Sequence, residues 1–319
     1  MMLAPSCRSS DGQQICETSW MSTDMDAIVP FHCELGPLSL DIQQPGGGLI
    51  AGVGTGALVW TAGYALGLAI LRAHVQHSGV LADHAGTSTA SRAIELGCGC
   101  SALPSVALAL TGRWHVVATD MACVLPAVRT NLAAYQEAAA VSAVPSLRDT
   151  ISIHTFSWDD RSALAALACS GGYTLVLCAE LDWMESLHES LTSALIACLA
   201  PTTHSLALIS SSSTGRERDE VLTRFLARLS ACGLVLVELS ERLEPIPPQG
   251  LEPLGASMAS APAAASSAGS DGARFFAARW GSLSNALSAR ARLSQSLLEQ
   301  SPPSAMELLT GKATESDVI

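Results

Sequence analysis

Residues 95–102 read Glu-Leu-Gly-Cys-Gly-Cys-Ser-Ala, and an aspartate stands at position 120, 23 places after the first glycine. Two glycines separated by one residue let backbone approach a ligand that any side chain would hold off. An acid at that distance, closing the next strand, can accept hydrogen bonds from both hydroxyls of a ribose. Gly97, Gly99 and Asp120 therefore point to a nucleotide-like ligand on a strand–loop–helix unit. Glu95 narrows the choice. A pyrophosphate wants positive potential at the helix N-terminus, and a carboxylate at the mouth of the loop repels it. The same charge suits a ligand carrying an ammonium and a sulfonium, so S-adenosylmethionine is the expected cofactor. Competing roles are a salt bridge for Glu95 and a helix N-cap for Asp120. A rival nucleotide reading places NAD on Gly97-x-Gly99-x-x-Ala102.

The elements that must hold these residues are legible in the spacing. Leu38 to Gln43 alternates apolar and polar as a half-buried strand does, and a turn at Gly46-Gly47-Gly48 precedes an apolar helix ending near His77. Ala93 to Leu96 is a short strand running into the glycines. Ser101 to Leu110 is a helix with Ser101 as its cap, Pro104 in its first turn and Gly112 as its stop. Trp114 to Asp120, Thr150 to Trp158, Tyr173 to Ala179, Ser205 to Ser210 and Leu234 to Leu239 follow as strands. The helices Ala122 to Ala140, Ser162 to Cys169, Glu185 to Leu199 and Arg216 to Ala231 lie between them. Tyr173 to Ala179 is apolar enough for a central strand buried on both faces. This alternation predicts an α/β, Rossmann-like, mostly parallel sheet with helices on both faces. Pro245 to Gly272 is rich in Pro, Ala, Ser and Gly and reads as a flexible insertion. Arg274 to Trp280 returns as an aromatic strand, able to pair antiparallel with the last strand because no helix joins them. Ser284 to Gln300 reads as a helix. The expected organisation is an extension over 1–34, a domain over 35–282 carrying the insertion 245–272, and a helix and tail over 283–319.

Composition limits the function classes. The 319 residues are 49% hydrophobic and 14% charged, which excludes a wholly disordered chain and supplies a large core. A net charge of −12 leaves no broad basic surface for nucleic acid and favours a basic partner. None of the ten cysteines forms a C-x-x-C pair, so free buried thiols are expected and no metal site. His74 and His77 stand without a ligand cluster and read as a surface pair. The N-terminus lacks a basic stretch followed by an apolar run, and the uncharged segment Pro45 to Leu71 is too rich in glycine for a membrane span. The expectation is a cytoplasmic or nuclear protein.

Four landmarks in order resemble the seven-strand S-adenosylmethionine-dependent methyltransferases and, within them, the family 16 protein-lysine methyltransferases. They are Val59-Trp60, Glu95-Leu-Gly-Cys-Gly with Thr119-Asp120, Ser157-Trp158-Asp159, and Cys178-Ala179-Glu180-Leu181-Asp182-Trp183. Asn131 and Gly215 to Asp219 also fall where that family has similar residues. The resemblance covers Leu38 to Leu243 and the strand at Arg274. It implies that Trp60, Gly97, Gly99, Asp120, Trp158 and Ala179 line a cofactor pocket. It also implies that the acid–aromatic pair Glu180 and Trp183 serves the substrate, Glu180 aligning an amine and Trp183 walling it in by cation–π contact. The family pattern there is Asp-x-x-Tyr, so the acid is longer here and the phenol is absent. Asp182 supplies a second acid in the same loop.

The implied activity is methyl transfer to a lysine side chain of a protein. Arginine or small-molecule methylation, and a non-catalytic cofactor-binding scaffold, are the alternatives.

Overall fold

A computed structural model describes residues 28–45, 54–82, 91–142, 144, 146–212, 216–246 and 273–299. The Gly46–Gly48 turn, Gly215, the insertion beyond Ile246, the first 27 residues and the tail after Glu299 lie outside them.

A hairpin comes first. Strands β1 (Ile28–Leu35) and β2 (Leu38–Pro45) pair antiparallel around the two-residue turn Gly36-Pro37. Gly36 has φ 60° there, as a tight hairpin turn requires. The boundary expected at residue 34 therefore cuts a strand. Pro30 and the weak alternation of Ile-Val-Pro-Phe-His-Cys-Glu-Leu hid it, and burial of Cys33 and Leu35 against the core holds it.

Helix α1 (Thr61–Gln76) follows, and then the main sheet and its helices. These are β3 (Ser91–Leu96), α2 (Leu103–Leu110), β4 (Trp114–Asp120), α3 (Leu125–Val141), β5 (Ile151–Thr155), α4 (Arg161–Cys169) and β6 (Leu175–Ala179), continuing with α5 (His188–Cys198), β7 (Leu206–Ser212), α6 (Arg216–Ala231), β8 (Leu234–Leu239), β9 (Ala273–Trp280) and α7 (Leu283–Glu299). The sheet order is β5-β4-β3-β6-β7-β9-β8. Strands β3 to β7 are mutually parallel, and β9 is antiparallel to both β7 and β8.

Period-two alternation sends successive side chains to opposite faces and builds two cores. Ala93, Leu175, Leu177, Leu206 and Leu208 face α1, α2 and the hairpin. Ile94, Leu96, Val176, Cys178, Ala207 and Ile209 face α4 to α7. Strand β6 lies at the centre, its first four residues all buried, as its continuous apolar run requires. Among the described residues no helix is long and apolar enough to cross a membrane.

Arg290 on α7 anchors the last helix. It is buried, and its guanidinium donates to the carbonyls of Ala197 (3.2 Å), Leu199 (2.8 Å), Leu167 (3.1 Å) and Ala168. It thus caps the C-termini of α4 and α5 together, where a cation is favoured by the helix dipoles.

Candidate cofactor and substrate site

The chain runs outward from β3 through β4 to β5, then crosses back to β6 on the other side of β3. That reversal opens a crevice at the carboxyl ends of β3 and β6, where open α/β sheets bind ligands. The expected site residues gather at this edge.

Gly97 and Gly99 take φ 61° and 59°, and Ala102 before α2 takes φ 46°. A Cβ at Gly97 would lie 2.7 Å from Leu181 Cδ2 and 3.2 Å from Trp158 Cζ2. The loop must therefore be glycine, and the Leu181 and Trp158 side chains converge on it. Asp120 ends β4 with Oδ2 accepting from the Gly99 amide (2.8 Å) and Oδ1 from the Met121 amide (2.7 Å). It does not cap α3, which begins at Leu125. An ionised carboxylate has about four acceptor positions, so capacity for ribose hydroxyls remains. Burial raises the pKa of Asp120 above the usual carboxylate range.

Segment 54–60 closes the other side. The Gly56 carbonyl accepts from the Cys100 amide at 2.6 Å. Trp60 donates from Nε1 to the Thr55 carbonyl (3.0 Å), and Gln44 accepts from the Val59 amide (2.8 Å). Ala179 lies under the first turn of α1, where a Cβ at Gly63 would meet its Cβ at 3.9 Å. Asn131 is buried and ties the hairpin to the glycine loop. It accepts from the Gln43 amide (2.9 Å) and donates to the carbonyls of Gln43 (3.0 Å) and Cys100 (2.9 Å).

Two expectations need correction. Glu95 does not stand at the mouth of the loop. It is 1% exposed and accepts from the Ser105 amide (3.0 Å) and the Ser105 hydroxyl. Its carboxyl caps the first turn of α2, the place given beforehand to Ser101. Parallel β3 is covered on both faces, which drives the residue inward. Burial pushes its pKa up to about 8.

Glu180 is not free to meet an amine. Its side chain is 1% exposed and is ion-paired with Arg218 of α6. It also accepts from the Ser212 amide (2.9 Å) and hydroxyl (2.5 Å). Its backbone sits at φ 58°, a left-handed conformation that costs a non-glycine residue about 1–2 kcal/mol. Trp183, in the same loop, is half-buried. Arg218 and Ser212 were invisible as partners because they lie 38 and 32 positions downstream. The acid and its distance from α6 carry no local pattern.

The eight described cysteines are free, and no cluster that could hold a metal occurs among the described residues. A concavity of about 370 Å³ lies elsewhere, between the Gly79-Val80 turn and β8, and contains none of these residues.

A glycine loop, an acid ending the next strand and a tryptophan over the first glycine, at the switch point of this strand order, define a seven-strand, Rossmann-like methyltransferase. The chain matches the lysine methyltransferase family over residues 38–231 and belongs to it. S-adenosylmethionine is accordingly the cofactor, and the NAD reading falls. The fit is chemical as well. Gly97 and Gly99 offer the bare backbone, Asp120 the acceptor oxygens, and Trp60 and Trp158 the aromatic surfaces that an adenosyl group with a methionine tail requires.

Among solved structures the chain is similar to the Methanococcus jannaschii fibrillarin pre-rRNA processing protein. Identity is 16%, with 60% of this chain and 67% of that one covered and a TM-score of 0.38. An O-methyltransferase family protein from Burkholderia thailandensis is 11% identical, over 68% of this chain and 58% of its own, with a TM-score of 0.40. The O-methyltransferase from Bacillus cereus in complex with SAH is 13% identical, over 70% and 82%, with a TM-score of 0.38. The chain spans less than two thirds of the Burkholderia protein it matches. No curated protein matches the chain.

Proposed function

We propose that this protein transfers the methyl group of S-adenosylmethionine to the nitrogen of a lysine side chain in a protein substrate. The observation that carries the reading is the convergence of the lysine methyltransferase family's glycine loop with an acid–aromatic loop over residues 180–183, Leu181 of which touches Gly97.

When bound, the cofactor supplies a methyl on a positively charged sulfur, whose departure as a neutral thioether needs no acid. The chain's own residues then have two tasks. One is orientation, which converts a bimolecular encounter into an effectively unimolecular step. Asp120 and the Gly97–Gly99 backbone hold one partner, and the loop carrying Trp183 holds the other. The second task is desolvation. A lysine ammonium has an ordinary pKa near ~10.4, and apolar walls such as Trp60, Leu181 and Trp183 lower it by disfavouring charge. The lysine ammonium would first give a proton to water, and the lone pair so freed would take the methyl that the cofactor supplies, leaving S-adenosylhomocysteine. No side chain is assigned as general base. The acidic balance, −12 over the chain, suits a lysine-rich partner.

One observation favours a second reading, the cofactor-binding scaffold: Glu180 is locked to Arg218 and unavailable to substrate. The test separates the two. Purified protein is incubated with cell lysate and methyl-labelled cofactor, and the labelled proteins are hydrolysed and analysed for methyl-lysine. Methyl-lysine above a protein-free control is the expected result. Label on arginine or small molecules redirects the substrate. No label, together with a thermal shift by S-adenosylhomocysteine, leaves the scaffold. At ~100 times its Kd that ligand adds about 2.7 kcal/mol of stability, a readily measured shift.

A further inference from the structure

The closure of Glu180 leaves the loop without its expected acid, and a neighbouring carboxylate stands in the opposite condition. Asp182 is 2% exposed. Its Oδ2 accepts from the Ser211 hydroxyl (2.9 Å), and its backbone carbonyl accepts from His188 Nε2 (2.8 Å). Its Oδ1 is buried with no hydrogen-bond partner among the described residues. An orphaned buried carboxylate oxygen is costly, and a cation or a proton relieves it. Burial raises its pKa, with the Ser211 hydrogen bond and the neighbouring His188 acting in the opposite direction. Leu181 stands between the two acids and packs on Gly97, and half-buried Trp183 follows Asp182 in the same loop.

We propose that Asp182, not Glu180, is the carboxylate that receives the target ammonium, and that the Glu180–Arg218 pair is a latch holding the loop to α6 and the end of β7. This rests on the lysine reading above and specifies its substrate-binding residue. Ser211 fixes one oxygen of Asp182 and leaves the other for the amine, while Trp183 covers the aliphatic stem. The longer acid at 180 is then explained, because it must reach Arg218 and Ser212 and not a substrate.

The test uses the full chain saturated with S-adenosylhomocysteine and, as probe, n-butylammonium, the lysine side chain without its backbone. Calorimetric titration compares wild type, Asp182→Asn and Ser211→Ala. Asparagine still accepts from Ser211 but carries no charge, so binding of the probe is expected to weaken about ten-fold, the worth of one charge-assisted hydrogen bond. Ser211→Ala keeps the charge and removes only the orienting hydroxyl, so it is expected to lose clearly less probe affinity than Asp182→Asn. A merely structural Asp182–Ser211 bond predicts equal losses in both variants, and that result overturns the assignment, as does undiminished binding by Asp182→Asn or no binding by wild type. Should Asp182→Asn lose S-adenosylhomocysteine affinity through misfolding, wild type decides alone. The carboxyl carbon resonance of Asp182 must move on addition of the probe, and a static one refutes the role. Methyl-lysine in the lysate assay, found while these tests fail, removes the Asp182 assignment and spares the lysine reading; its absence removes both.

Discussion

A carboxyl group driven into a protein core must find hydrogen bonds, a proton or both, and Glu95 finds both. It caps α2 through Ser105, and burial lifts its pKa from 4.5 to about 8. Between those values the folded state holds a proton that the unfolded chain has released. The stability this group contributes is therefore full below pH 4.5 and is lost as pH rises toward 8, with a slope of at most about 1.4 kcal/mol per pH unit. Glu95→Gln keeps an oxygen for Ser105 and removes the titration. Thermal melts at pH 5 and pH 8 should show the variant gaining on wild type at the higher pH; parallel curves would mean the carboxyl is ionised throughout. At Asp120 the expectation is different, because its carboxylate already organises Gly99. Asp120→Asn should fold with a similar Tm but bind S-adenosylhomocysteine about ten-fold more weakly in calorimetry, through loss of charge-assisted acceptance. Unchanged affinity would take Asp120 out of the cofactor site. Neither the inward turn of Glu95 nor the closure of Glu180 was legible along the chain, since residue type and spacing do not say which way a side chain faces once two sheet faces are both covered.

Elements were more legible than contacts. Trp114–Asp120, Arg216–Ala231 and Leu234–Leu239 fall where periodicity places them. Each is a run whose apolar spacing suits one geometry only. Boundaries failed where tertiary contacts set them. Helix α2 starts at Leu103 after a left-handed Ala102, because Glu95 replaces Ser101 as its cap. Strand β1 escaped notice because a hairpin is stabilised by what it covers and not by its own propensity. Helix α7 lies beyond the residues that carry the family match, yet Arg290 makes it part of the fold by capping α4 and α5. Arg290→Met preserves the apolar stem and leaves those carbonyls without a donor. Denaturant unfolding should show a loss of roughly 2–4 kcal/mol with S-adenosylhomocysteine affinity intact. A loss below about 0.5 kcal/mol, the scale of an ordinary surface substitution, would show that water serves the two helix ends equally well.

At the scale of the whole molecule, charge and topology act separately. The fold owes nothing to the −12 balance, which bears on encounter. Exposed acids accumulate at the carboxyl edge of the sheet, among them Asp159, Asp160, Glu189, Glu217 and Glu220. Asp159 and Asp160 lead into α4, Glu189 and Glu217 lie in the first turns of α5 and α6, and Glu220 follows on α6. Salt shortens the reach of such a field from ~10 Å at 0.1 M to ~3 Å at 1 M. Methyl transfer to lysine-rich lysate proteins should therefore fall as sodium chloride is raised across that range, with S-adenosylhomocysteine affinity little changed. Salt-independent transfer would mean that the substrate is recognised without electrostatic steering. The order β5-β4-β3-β6-β7-β9-β8 does what no charge could, bringing residues 97, 120, 158 and 179, which end or follow β3, β4, β5 and β6, to one edge.

By itself the amino-acid sequence determined the alternation of strands and helices, the glycine loop with its downstream acid, and through four ordered landmarks the family and its cofactor. All of these are local, carried by spacing along a strand, a turn or a helix, and local geometry depends on residues a few positions apart. The tertiary structure alone decided where these acids turn. Glu95 turned to Ser105, Glu180 to Arg218, and Asp182 kept an oxygen without a partner among the described residues, because each outcome depends on side chains that pack together from distant parts of the chain.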